Sequence, residues 1–391
     1  MSIRYLTAGE SHGKGLVGII EGVPAGLPIN LDELHVQMRR RKLGYGRGAR
    51  QKIETDEVEI LSGVRLGKTL GSPVSLWIKN RDWEVWKEIM SSEPLQGDGV
   101  RRQVHVPRPG HADLVGGVKY QHRDLRNVLE RASARETAMR VALGSVARKF
   151  LSELGICVAS RVIQIGTACD DQIFCGDVGQ LNLLSDLSVV RCINSSVDAL
   201  MVEQIEAAKK EGNTLGGVFE VYASGLPIGL GSYSQWDRRL EGRIAQGLMS
   251  LNAIKAVEMG LGKKVAQLRG SEVHDEYVPA SEGRRGVEYK TNRSGGIEGG
   301  MSTGQTLQVR ATMKPISTLM KPLSSVDLRT GEASLAHIER SDTCAVPAAA
   351  VIAESILALI LCDEILIKFG GDSLPEVQSR VYDWKKHQLT L

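Results

Sequence analysis

The residues best able to do chemistry gather in short segments rich in glycine, arginine and histidine. In TAGESHGKG (7–15), Gly9, Gly13 and Gly15 flank Ser11 and His12. Glycines beside a histidine let backbone N–H groups and an imidazole approach one ligand closely. The spacing is not that of a Walker A loop. In RRRKLGYGRGARQK (39–52), the basic run at 39–42 suits a helix C-terminus, where the dipole favours positive charge. That does not account for Arg47 and Arg50 in the glycine loop beyond, which suit bidentate capture of phosphate or carboxylate. In VHVPRPGHADLVGGVKYQHRDLRN (104–127), prolines and a glycine fix Arg108 and His111. A histidine held beside an arginine suits general acid work on a leaving phosphate. His105 and His122 read as structural or peripheral, and no ligand spacing for zinc is present. In LERASARETAMR (129–140), Arg131 and Arg135 are four apart and so would share a helix face. Either Glu130 and Glu136 pair with them in solvent, or Ser133 and an arginine hold an anion at a helix N-terminus. Further on stand SLNAIKA (250–256), NRSGGIEGGMSTGQ (292–305), MKPISTLMKPL (313–323) and IERSDTCAVPAA (338–349). Asp342 there has an alternative reading, as a cap for the helix starting near Pro347, paired with Arg340.

These segments need elements to position them. Alternation and β-branched runs predict strands at 3–8, 16–22, 57–64, 72–78, 156–165, 216–223 and 306–313. Periodicity predicts helices over 31–42, 127–154, 237–260 and 347–369, the last with proline at its start and glycine past its end. The strand–helix beat is irregular, which favours α+β over a doubly wound sheet. No linker divides residues 1–391, so one catalytic domain is expected. IIEGVPAGLPI (19–29) and EVYASGLPIGLG (220–231) leave an internal pseudo-repeat open, beside the plainer reading of two similar turns. Residues 167–200 have the least recognisable pattern and read as a variable excursion.

Composition narrows the function classes. With 49 basic and 46 acidic residues, the net charge of +3 is too balanced for nucleic-acid binding by bulk electrostatics. The 43 glycines are scattered, not in tandem, so they imply tight turns and close backbone approach. No pair among the six cysteines has C-x-x-C spacing, and they read as reduced thiols. No signal pattern and no long uncharged apolar run is seen, so a cytoplasmic location without membrane contact is expected.

AGESHGKG, GYGRGAR, PRPGHADLVGG, ERASARET, GLGSYSQWDR, GGIEGGMSTG, MKPISTL and ERSDTCAVPAA, in this order from residue 7 to about 350, together resemble the chorismate synthase family. The resemblance implies an α+β fold with a helical core sandwiched between antiparallel sheets, assembled as a homotetramer. It implies a lyase of the shikimate pathway of aromatic amino acid biosynthesis. That enzyme converts 5-enolpyruvylshikimate 3-phosphate to chorismate by 1,4-anti elimination of phosphate, and it needs reduced FMN. By matching positions, His111 would protonate the departing phosphate, His12 would protonate or hydrogen-bond the flavin, and Asp342 would relay the C6 proton. Arg41, Arg47, Arg50, Arg108, Ser133, Arg135 and Arg340 would surround the substrate's anionic groups. FMN contacts would fall on Arg131, Ala132, Ser133, Asn252, Ala253, Gly299, Lys314, Pro315, Ile316, Ser317, Thr318 and Arg340. Arg41 and Arg47 also match positions linked to NADP in the family, so substrate, flavin and NADP compete for them. Ala132 stands where the family commonly has a second serine, a lost hydrogen bond worth about 0.5–1.5 kcal/mol. The resemblance implies no metal. The lack of a long insertion points to a separate flavin reductase, with NADPH only an indirect reductant. A flavin oxidoreductase with net hydride transfer lacks its G-x-G-x-x-G here, and a phospholigand or RNA-binding module would rest on the Arg39–Arg50 cluster alone.

Overall fold

The computed structural model describes residues 2–48, 53–94, 102–280, 286–339 and 341–387. Arg50 and Arg340 lie outside the described residues. Strands β1 (Arg4–Ala8), β2 (Gly15–Glu21), β3 (Val58–Ser62) and β4 (Val74–Lys79) form one antiparallel sheet in the order β1-β2-β4-β3. Strands β5 (Cys157–Ile165), β6 (Ala168–Cys169), β7 (Gly217–Ser224), β8 (Ile254–Met259) and β9 (Leu307–Met313) form a second, in the order β8-β9-β7-β5-β6, also antiparallel. Helix α1 (Leu31–Lys42) follows the first hairpin, capped by Asn30, whose side chain accepts from the Asp32 N–H. Helices α2 (Asp113–Tyr120), α3 (Arg126–Ala132) and α4 (Thr137–Ser152) carry the chain between the sheets. Then come α5 (Val178–Ser185), α6 (Ser195–Lys210), α7 (Leu240–Met249), α8 (Val346–Phe369) and α9 (Leu374–His387).

Helices α4 and α8 form the filling. Helix α4 packs on the four-stranded sheet, α8 on the five-stranded sheet, and the two pack on each other. The sequence dictates this. Helix α8 is apolar almost all round, with twenty of its residues buried, and such a helix must be covered on every side. Small residues set the closest approaches. A Cβ on Gly18 of β2 would lie 2.5 Å from the Met139 sulfur of α4, and one on Gly144 of α4 would lie 2.4 Å from Ser355 Cβ of α8. The expected α+β sandwich of helices between antiparallel sheets is therefore what the chain adopts, and all seven expected strands are present.

Two expected helices are corrected. The stretch 127–154 is not one helix. Ser133 has extended backbone (φ −65°, ψ 141°) between α3 and a short 3₁₀ turn at Ala134–Glu136 that leads into α4. The stretch 237–260 holds α7 only to Met249, and Ile254–Met259 is a strand. Between them Ala253 sits at φ +68°, which a residue with a Cβ rarely adopts. Residues 167–200 contribute β6, α5 and the start of α6, and Leu181, Val190 and Cys192 are buried. The two similar turns of the repeat question follow β2 and β7, one in each sheet. All six cysteines are free.

Gly144→Ala tests the packing of α4 on α8. The added methyl overlaps Ser355, so stability should fall by about 1–3 kcal/mol in a urea titration. Adding Ser355→Gly should recover part of that loss.

Candidate functional site

The motifs converge. The loop 7–15 leaves β1, α1 ends at Arg41, α3 and α4 meet at Ser133, and α7 turns into β8 at Asn252. Their side chains meet those of 313–318 and 341–352 around a cavity of about 450 Å³. Five cationic side chains line it among the described residues: Arg41, Arg47, Arg108, Arg135 and Lys314. Leu251, Met313, Ala348, Ala349 and Ile352 give it an apolar wall. A cavity of this size with few polar groups and an apolar wall fits a small-molecule or cofactor site.

Each of the four arginines is paired with a carboxylate. Asp56, 1% exposed, pairs with Arg135 and, at 3.4 Å, with Arg41. Arg135 also reaches Asn80 Oδ1 at 3.0 Å and Glu54 at 3.4 Å. Arg41 donates to the Thr137 hydroxyl at 2.9 Å and the Ala134 carbonyl at 3.1 Å. Burial lowers the Arg41 guanidinium to about 10, with Asp56 opposing and Arg47 and Arg135 reinforcing the shift. It therefore remains a cation at neutral pH. Arg47 pairs with Asp342 at 3.2 Å, and the Gly48 N–H donates to the other oxygen of the same carboxylate at 2.6 Å. Asp342 is thus not a cap for α8, which has no side-chain cap.

Two histidines reach the cavity, and each gives one ring nitrogen to a buried carboxylate. His111 Nδ1 lies 2.5 Å from Asp113 Oδ1, and Asp113 is wholly buried at the start of α2. Asp113 also accepts from the Arg108 backbone N–H (3.1 Å), Nε (2.8 Å) and Nη2 (3.0 Å). Burial pushes its carboxyl up. The hydrogen bonds from His111 and Arg108, with their charges, outweigh this and hold it well below the usual range. A carboxylate there assigns the Nδ1 proton, and Nε2 lies 3.3 Å from Arg108 Nη2. His12 repeats the arrangement. Its Nδ1 is 3.0 Å from Glu130 Oε1, its backbone N–H donates to Oε2 at 2.8 Å, and its ring stacks on Trp86 with centroids 4.0 Å apart. Burial raises the Glu130 carboxyl, but His12 and Arg126 bring it below its ordinary value. His122 is exposed, His105 is half-buried, and both lie outside the cavity.

The remaining wall is joined by hydrogen bonds. Asn252 Nδ2 donates to the Ala132 carbonyl at 3.2 Å, and the Lys314 N–H donates to the Ala253 carbonyl at 2.9 Å. Lys314 Nζ donates to the Gly110 carbonyl at 2.6 Å, and Arg108 Nη1 to the Thr318 hydroxyl at 2.9 Å. So 313–318 is tied to the loop bearing His111. In the cavity wall, buried Asn252 Oδ1 and Arg47 Nε keep no partner among the described residues.

Of the expected site residues, His12, Arg41, Arg47, Arg108, His111, Ala132, Ser133, Arg135, Asn252, Ala253, Lys314 to Thr318 and Asp342 line the cavity. Arg131 and Gly299 do not. Extended Ser133 turns Arg131 away from Arg135, contrary to the shared face expected from their spacing. Arg131 is exposed and donates to the Gly9 and Thr7 carbonyls. Gly299 lies in the tight hairpin turn between Ile297–Glu298 and Met301–Ser302. The alternative of solvated Glu130 and Glu136 paired with Arg131 and Arg135 is also corrected. Both glutamates are buried, and they bind Arg126 and Arg140. The supporting Glu54, Asp56, Asp113, Glu130, Trp86 and Glu339 were not singled out from sequence as site residues. Asp113, Glu130 and Glu339 stand inside the motifs around His111, Ser133 and Asp342, which was the signal available.

Comparison with known proteins follows the same line. The family model described as chorismate synthase matches residues 3–366. A protein of Brevibacillus brevis named "Chorismate synthase" is 50% identical over 388 residues, covering 98% of this chain and 99% of the relative. A Bacillus cereus protein named "Chorismate synthase 1" is 50% identical over 382 residues, covering 97% of each. A solved structure titled "Crystal Structure of Chorismate Synthase" superposes with a TM-score of 0.80 at 42% identity, covering 100% of this chain and 99% of that one.

Glu339 gives a pH test at the cavity edge. Burial raises its carboxyl, but His337 and Arg126 outweigh it and hold it at about 2, against an ordinary 4.5. A depressed carboxyl contributes stability that is full above the unfolded value and fades as pH falls toward the folded one. The urea midpoints of wild type and Glu339→Gln should therefore differ most above about pH 5 and draw together as the pH is lowered. A gap that widens on acidification contradicts the pairing.

Proposed function

The chain belongs to the chorismate synthase family and is an enzyme acting on a small molecule, and from that premise we propose that its cavity eliminates phosphate from 5-enolpyruvylshikimate 3-phosphate to give chorismate. The observation that carries the reading is His111. It is fixed by buried Asp113 in the wall of a cavity ringed by cations, with Nε2 3.3 Å from Arg108 Nη2. The substrate bears a phosphate and two carboxylates, and donors already buried and oriented bind such charge without reorganising.

In the elimination the C3–O bond to phosphate breaks and C6 loses a proton, so no net oxidation occurs and the enzyme is a lyase. His111 donates its Nε2 proton to the departing phosphate oxygen, and Asp113 stabilises the form that carries both ring protons. Arg108, bonded to the same Asp113, adds positive charge beside that oxygen. Arg41, Arg47 and Arg135 orient the substrate's anionic groups, as would Arg50 and Arg340 in the adjoining segments. Asp342, fixed by Arg47 and the Gly48 N–H, accepts the C6 proton directly or through a relay. The apolar wall excludes water, which strengthens each of these interactions.

The residues present fit FMN. The orphaned Asn252 Oδ1 needs an N–H donor such as the flavin imide, and Arg47 Nε–H needs an anionic acceptor. Ala132, Ser133, Asn252, Ala253 and Lys314 to Thr318 would hold the flavin against the apolar wall, with His12 Nε2 facing it. Arg131 and Gly299 take part in that reading only if they move or act through the 7–15 loop. Reduced FMN, when bound, supplies electron density during C–O cleavage and recovers it as the C–H bond breaks. NADPH serves through a separate flavin reductase, so Arg41 and Arg47 act on substrate and flavin rather than on NADP. A reducing, cytoplasmic setting is supported by six free cysteines, and among the described residues no helix is long and apolar enough to cross a membrane. A homotetramer is supported by the outer face of the four-stranded sheet, where Leu6, Ile19 and Leu61 are 62%, 41% and 58% exposed.

Anaerobic incubation with reduced FMN and the enolpyruvyl substrate should release one phosphate per product and leave the flavin reduced. Flavin oxidised in step with product would overturn the lyase reading. His111→Ala should lower turnover by about 10²–10⁴-fold while flavin affinity, followed by fluorescence, changes little. NADPH mixed with oxidised FMN and the protein alone should leave the flavin absorbance unchanged, and rapid bleaching would show an intrinsic reductase.

A further inference from the structure

A second cavity, of about 370 Å³, lies behind the first, between α1, α4, the start of β5 and α5. None of its lining residues belongs to the site described above. Its walls are largely apolar, from Val36, Ile156, Val158, Val178 and Leu183. Its polar end holds an unbalanced charge cluster. Buried Glu354 of α8 accepts from Arg40 (2.7 and 2.9 Å), Arg148 (2.8 Å), Arg191 (3.3 Å) and the Ser160 hydroxyl (2.6 Å). Asp186 pairs with Arg40 at 2.6 Å and with Arg191. Three guanidinium groups thus face two carboxylates, leaving one positive charge in excess.

That excess sits on Arg148. It spends one N–H on Glu354, and its Nε and Nη2 have no protein partner among the described residues. Its side chain is 18% exposed and lines the cavity. A guanidinium edge with two free N–H directions matches a carboxylate's two oxygens. Apolar walls around one such group suit a ligand with a single carboxylate and an apolar body. A free phosphate would find Arg40 already engaged by Glu354 and Asp186, and the Asp186 carboxylate in the same lining.

We propose that this cavity is a binding site for a small apolar monocarboxylate, held by Arg148. The inference is independent of the reaction assigned to the first cavity. Cys157, an exposed thiol, lines the same cavity, while Cys169 and Cys175 are exposed outside it. The three thiols permit an internal comparison in the intact enzyme.

Alkylation rates are measured at each cysteine by peptide mass spectrometry, with iodoacetate, a carboxylate, and neutral iodoacetamide. In each case sulfur displaces iodide and a thioether forms, with the thiol proton lost to buffer. The iodoacetate-to-iodoacetamide rate ratio at Cys157 should exceed that at Cys169 and Cys175 by about tenfold. Arg148→Gln should abolish that excess while keeping the iodoacetamide rate and turnover, since Glu354 retains Arg40, Arg191 and Ser160. Phenylacetate should protect Cys157 from iodoacetamide, and phenylacetamide should not. Equal ratios at the three cysteines, an excess that survives Arg148→Gln, or inorganic phosphate protecting as well as phenylacetate would each overturn the proposal.

Discussion

Positive charge must be concentrated in the cavity before any anion arrives, and buried carboxylates make that possible. A guanidinium removed from water costs several kcal/mol unless it is paired and hydrogen-bonded. Asp56 serves both Arg41 and Arg135, Asp113 serves Arg108, and Asp342 serves Arg47. Asp56 and Asp113 stay outside the cavity lining while their arginines enter it, and Asp342 lines it beside Arg47. The same device fixes the histidines, since Asp113 and Glu130 each hold one ring nitrogen and so set the ring's orientation. Charge complementarity to a ligand and placement of proton-bearing groups are therefore one structural solution.

The sandwich supplies the rigidity this requires. Helices α4 and α8 lie between two sheets, and both start at the cavity, α4 after Ser133 and α8 beside Ala348 and Ala349. Helix α1 ends there as well, and its consecutive residues Arg40 and Arg41 enter different charge clusters. Arg41 joins Asp56 at the first cavity, while Arg40 joins Glu354 at the second. A shift of α1 must disturb both, so the two clusters lock each other's register.

The sequence made the elements legible where the pattern was local. Alternation placed all seven expected strands, and the Pro-in, Gly-out signal placed α8 nearly to the residue. It failed at Ser133 and Ala253, where the chain breaks a helix without glycine or proline. At Ala253 the apolar residues of β8 continued the helical pattern of α7, so periodicity alone ran through the break. The cavity-lining residues were legible because they stand in glycine-rich motifs matching a family. Their carboxylate partners were not, because those pairings are long-range. Asp56 and Arg135 are 79 residues apart, and His12 and Glu130 are 118 apart. A lone acid in a sequence gives no sign of which base it will meet.

The two misread breaks are also where the cavity wall is made. Ser133 in extended backbone turns its hydroxyl to accept from the Arg135 N–H, and it separates Arg131 from Arg135. Ala253, at positive φ, turns its carbonyl to the Lys314 N–H and brings Asn252 against Ala132. A continuous helix at either place would carry these groups around its axis and out of the wall. Backbone held away from its local preference must be over-determined by its surroundings, and here the surroundings are the buried arginine network on one side and the five-stranded sheet on the other. The positions where local pattern and observed structure part company are thus the ones where the chain has been bent to face a ligand.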